Sequence, residues 1–222
     1  MEHSENSNLI SMMKDRKSQY EFLCTAFSNP ILKEVLNIWK EQLSFKSIIS
    51  DEHFRLFFSE LSSQKVEEIF EKEKENFLRL FFGPEHIPAP PWESVYRTRE
   101  RLLFGEPTLK MREKLKIFNL NYEEENKEPE DHISLELEFM SHLIDKSLKS
   151  INEENEKEFS RALHYQFLLL DDHLVKWAEP FTEDILSFTT SAFYKGLAQF
   201  LREFIKQDYQ YMSGIKEVLG NE

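Results

Sequence analysis

An all-α fold follows from three features of this 222-residue chain: it holds only 5 glycines, runs of β-branched residues are few, and long stretches are dominated by Leu, Phe, Glu and Lys. Such stretches favour helix, and apolar residues recur in them every three or four positions. The pattern predicts a single multi-helix domain over residues 1–222. The one segment that could divide it is an acidic hinge or linker near 119–131, NLNYEEENKEPED.

A polar start precedes the first predicted helix, residues 17–28, with Tyr20, Leu23 and Phe27 on one side. Pro30 suits the first turn of a second helix carrying Leu32, Val35, Leu36 and Trp39. Asp51 is a candidate N-cap for a third, DEHFRLFFSEL. In the fourth, Val66, Ile69, Phe70, Phe77, Leu80 and Phe81 form the stripe, and EKEKE is its expected solvated back. Gly83 and Pro84 stop it. Residues 83–96, GPEHIPAPPWESVY, then form a stiff loop of four prolines that holds up Trp92 and Tyr96. A short helical piece bearing Arg97, Arg99 and Arg101 ends near Gly105, and Pro107 opens the next helix. Ile133, Leu137, Met140, Ile144 and Leu148 step by helical intervals, and two further helical regions complete the chain.

The net charge of −13 and the lack of a basic stripe argue against nucleic acid and against an anionic membrane surface as partners. No run approaches the roughly 20 apolar residues of a membrane span, and the N-terminus lacks an apolar signal core. A lone cysteine, Cys24, excludes an internal disulfide and reads as a small buried hydrophobe. A cytoplasmic protein is the expectation.

Enzyme chemistry is not visible. P-loop, GxGxxG and GxSxG patterns are absent. Two pairs at i and i+4, His132/Glu136 and Glu138/His142, have a spacing that could hold a metal, but no further ligand motif accompanies them. Asp172 and His173 could orient a general base, yet no nucleophile stands beside them in a recognisable motif. In Glu128-Pro129-Glu130-Asp131-His132, Pro129 fits the first helical position. Glu130 and Asp131 would then complement the helix dipole; alternatively Asp131 and His132 project from the helix end into a groove beside the linker.

The order of these segments says more than any one of them. LRLFFGP, PPWESVY, LFGEPT, EPEDH opening a helix, and DDHLVKW together resemble the TorD/DmsD family of redox-enzyme maturation chaperones, over roughly residues 77–181. The resemblance implies an all-α, non-enzymatic protein in the cytoplasm. It would bind the twin-arginine leader, or the body, of a molybdopterin oxidoreductase in its apo-form until cofactor insertion and Tat export. The implied leader-binding residues are Leu80, Phe81, Trp92, Tyr96, Arg99, Gly105, Pro129, Asp131 and His132. Tyr96 stands where some relatives have Trp, which bears on the leader's sequence preference. The resemblance extends to Tat translocase components as partners, to a monomer or a domain-swapped dimer hinged at 119–131, and to GTP. No metal or other cofactor is implied, and no nucleotide motif supports GTP. The alternatives are a NarJ-like assembly factor for a molybdoenzyme that is not exported and a metal-dependent helical enzyme using Asp131 and His132.

Overall fold

A computed structural model describes residues 2–42, 51–83, 86–122 and 128–219. Ten α-helices occur among them: α1 (Glu2–Ser28), α2 (Lys33–Glu41), α3 (Glu52–Ser63), α4 (Val66–Phe81), α5 (Glu93–Arg97), α6 (Glu106–Ile117), α7 (Ile133–Asn152), α8 (Glu156–Leu169), α9 (Val175–Phe188) and α10 (Ala192–Leu219). A five-residue π-helical turn, Leu170–Leu174, joins α8 to α9. The all-α expectation holds: no strand occurs among the described residues, and the one β contact is an isolated antiparallel bridge between Trp92 and His132. Pro84, Glu85 and the middle of the acidic segment, 123–127, lie outside the described residues.

The chain forms two compact units. One comprises residues 1–25, 92–177 and 205–222, and the other residues 26–91 and 178–204. Helices α1, α9 and α10 contribute residues to both.

In the second unit α3 begins where its cap predicts, with the Phe54 amide donating to Asp51 Oδ1 at 2.8 Å. The core is aromatic: Trp39 packs on Phe57, Phe58 and Phe193, while Phe81 packs on Phe27, Phe77, Phe181 and Tyr194. Two expectations need correction here. Pro30 does not open α2, which starts at Lys33 with Leu32 as its cap. The back of α4 is not wholly solvated either, because Glu73 is fully buried and accepts a hydrogen bond from Ser191 Oγ. Glu73 lies four residues after Ile69 and four before Phe77, so it falls on the apolar stripe.

In the first unit α1 starts far earlier than residue 17. The predicted stripe extends backwards through buried Met13 and Arg16. Arg16 looks like a surface residue in sequence, but its guanidinium pairs with Asp208 at 2.5 and 2.9 Å and donates to Gln166 Oε1 at 2.9 Å. Tyr20 Oη donates to the same Asp208 at 2.6 Å. A buried arginine is tolerated because its donors and charge are matched.

Candidate functional site

Seven of the nine residues predicted for the site, Trp92 to His132, belong to the first unit. Leu80 and Phe81 belong to the second, where both are buried and Leu80 O accepts from the Ala89 amide at 3.0 Å.

Asp131 organises the first-unit residues. It lies before α7, not in its first turn, because His132 is the N-cap, its Nδ1 accepting from the Ser134 amide at 3.1 Å. Pro129 and Glu130 precede the helix as well, which corrects the expected N1 position of Pro129. The Asp131 carboxylate instead reaches the start of α5, accepting from the Ser94 amide at 2.6 Å, and takes a second bond from Thr108 Oγ1 in α6 at 2.6 Å. Its carbonyl accepts from the Glu93 amide at 3.0 Å. One fully buried aspartate therefore ties α5 and α6 to the entry of α7. Beside it, the fully buried Glu130 holds Arg112 through two bonds, at 2.6 and 3.0 Å.

α5 has five residues, too short to be stable alone, and is braced from every side. Glu93 Oε1 pairs with Arg97 at 2.5 Å, and Glu93 Oε2 meets His173 Nδ1 at 2.6 Å. Arg97 also donates to the Asp172 carbonyl at 3.1 Å. Asp172 and His173 thus have different partners: Asp172 pairs with Lys114 at 3.0 Å and His173 with Glu93. The π turn sets this direction, since one extra residue in a helical turn rotates the succeeding side chains by about 100°.

Glu136 accepts from Trp177 Nε1 at 3.0 Å. Burial, reinforced by the Glu93 carboxylate, pushes the Glu136 carboxyl well above its ordinary range. Glu93, Glu136 and His173 offer donor atoms within 4.8 Å of one another, the one such three-ligand group among the described residues. His132 and Glu136, whose i, i+4 spacing could hold a metal, are engaged separately, His132 with Ser134 and Glu136 with Trp177. Sequence reasoning passed over Glu93, whose partner His173 lies 80 residues away on another element. No local pattern marks it.

On this frame sit the aromatic residues. Trp92 is half-buried, edge-on to His132 with centroids 5.4 Å apart. Tyr96 is half-buried, 5.7 Å from the Trp177 ring and 5.3 Å from the Arg101 guanidinium. Burial lowers the His132 imidazole to about 4, so it is neutral at pH 7. Arg99 is exposed in the turn after α5. Gly105 caps α6 with an ordinary φ of −78°; a Cβ there would lie 3.3 Å from Ser94 Cβ, so the residue is small because α5 passes close by. Between them Leu102, Leu103 and Phe104 are 61%, 42% and 45% exposed, with Arg101 and Phe104 in left-handed conformations. A contiguous apolar triplet at the surface is unusual away from an interaction site.

The family model described as the nitrate reductase delta subunit matches residues 50–183. The chain belongs to this family. It is 26% identical over 216 residues to the chaperone protein TorD of Aliivibrio salmonicida, covering 94% of this chain and 99% of the relative. It is 33% identical over 133 residues to the TorD of Vibrio cholerae serotype O1, covering 60% of this chain and 59% of that relative. Against the probable Tat proofreading chaperone DmsD of Haemophilus influenzae it is 32% identical over 124 residues, 56% of this chain and 54% of the relative. No described helix is long and apolar enough to cross a membrane.

Proposed function

We propose that this chain is a maturation chaperone that binds the twin-arginine leader, and the apo-form body, of a molybdopterin oxidoreductase in the cytoplasm before export. Family membership supports the chaperone class. The observation that carries the binding reading is the pairing of a rigid frame with exposed apolar groups. Trp92 and Tyr96 flank residues held by a buried polar network, so little entropy is lost when a ligand covers them, and the exposed Leu102–Phe104 triplet follows a few residues later. A leader combines basic residues with an apolar stretch, and an acidic protein with such a surface complements both.

The relatives' names as chaperones favour a non-enzymatic role. The family's description as a nitrate reductase subunit favours a second reading, an assembly factor for a client that is not exported. Co-expressing the chain with a molybdoenzyme precursor, with and without its leader, separates the two. The leader reading expects co-purification of the full precursor and a much reduced yield of the leaderless form. Equal recovery of both forms would favour the assembly factor, and recovery of neither would remove both readings.

A further inference from the structure

The proposed function asks for carboxylates beside an apolar surface, and the buried acids that tie α5, α6 and α7 together do not supply them. Glu93, Glu130, Asp131 and Glu136 are all fully buried. Each is engaged within the chain, by Arg97 and His173, by Arg112, by Ser94 and Thr108, and by Trp177 respectively. The positive charge of a bound peptide must be met by an exposed acid.

A cavity of about 450 Å³ opens in the same unit, between the C-terminal end of α6, residues 120–122 and the first turns of α7. Leu115, Leu120, Leu135 and Phe139 form its apolar walls, and Asn121, Tyr122, Glu138 and His142 are its polar lining. Its size falls within the range of ligand pockets, roughly 300–1,000 Å³. Glu138 is exposed, so its carboxylate is available to a ligand. His142 Nε2 is buried with no hydrogen-bond partner among the described residues. Burial first, and Lys146 second, hold the His142 imidazole below its ordinary value, so it brings no positive charge to the cavity at pH 7.

We infer that this cavity receives a basic side chain of the bound peptide together with its apolar neighbour, with Glu138 meeting the charge. This inference rests on the leader-binding reading. An arginine suits the arrangement. Its stem lies against leucine and phenylalanine walls, and its N–H donors reach the Glu138 carboxylate. Glu138 and His142 are one helical turn apart on α7, so both border the same side of the cavity. The occupant is cationic and partly apolar, because an anionic one would face Glu138 in a chain of net charge −13.

Calorimetric titration of two synthetic peptides into the full chain tests this. One carries two consecutive arginines and then ten apolar residues, and the other has glutamines in place of the arginines. Glu138→Gln is expected to weaken the arginine peptide by about three- to tenfold and to leave the glutamine peptide unchanged. Glu138→Lys should weaken the arginine peptide further. Melting curves of both variants should match the parent, since Glu138 is exposed. Equal affinity of parent and Glu138→Gln for the arginine peptide would overturn the inference while leaving leader binding intact, as would an equal loss with both peptides. Failure of the parent chain to bind either peptide would instead remove the leader-binding reading, and this inference with it.

Discussion

His132 does two jobs, one of which depends on a lone pair. Its Nδ1 accepts from the Ser134 amide to cap α7, and its ring supports Trp92 from the edge. A proton on Nδ1 would turn that acceptor into a donor and break the cap. The imidazole is lowered to about 4 in the folded chain, against an ordinary 6.5. Between those values the unfolded chain binds more protons, so stability is full above pH 6.5 and is lost as pH falls toward 4. The shift corresponds to a loss on the order of 3 kcal/mol. Asn caps a helix well and does not titrate, so His132→Asn should flatten this part of the stability profile. Urea unfolding at a series of pH values from about 7 to about 4 checks it; an identical acid slope in parent and variant would mean that other groups carry the loss. The cap was only partly legible in sequence. EPEDH marked a helix start, but carboxylates before an apolar run read as first-turn residues. Nothing local says that Asp131 turns away to hold a helix that begins at Glu93.

Among the elements, the close approach of α10 to α3 within the second unit is the most exacting contact. A Cβ on Gly196 would lie 2.9 Å from the Phe54 ring, inside van der Waals contact. Phe54 also packs against Phe193, one turn earlier on α10, with centroids 6.3 Å apart. Gly196→Ala would raise helix propensity but force the ring or the helices apart. Overpacking of this kind costs about 1–3 kcal/mol, more than the roughly 1 kcal/mol propensity gain. The variant is therefore expected to melt below the parent in calorimetry, and a higher midpoint would show that the contact yields easily. Most helices were legible as 3.6-residue stripes, α4 and α7 among them. The parts that escaped were stripes completed by a buried charge: Arg16 on α1, paired with Asp208, and Glu73 on α4, bonded to Ser191. Their partners lie 192 and 118 residues away, so the local pattern reads them as solvent-facing. The π turn escaped for a related reason, since LLLDDHLV continues a helical pattern in which one inserted residue leaves no mark.

For the molecule as a whole, the order of short motifs identified the family, while the candidate site was legible only as a set of residues without roles. The structure separates that set by position. Asp131 is buried as an internal tie, Gly105 sits where α5 passes close, and Trp92 and Tyr96 are the half-buried aromatics that frame holds. If that separation is right, removing a held aromatic should affect binding far more than folding. The most direct measurement is calorimetric titration of a twin-arginine leader peptide into the parent chain and into Trp92→Ala, with melting curves alongside. The account predicts a dissociation constant of the order of micromolar for the parent, about −8 kcal/mol. For Trp92→Ala it predicts about tenfold weaker binding, with a stability loss well below the roughly 3–5 kcal/mol of a core tryptophan. No binding by the parent, or full affinity in Trp92→Ala, would contradict it.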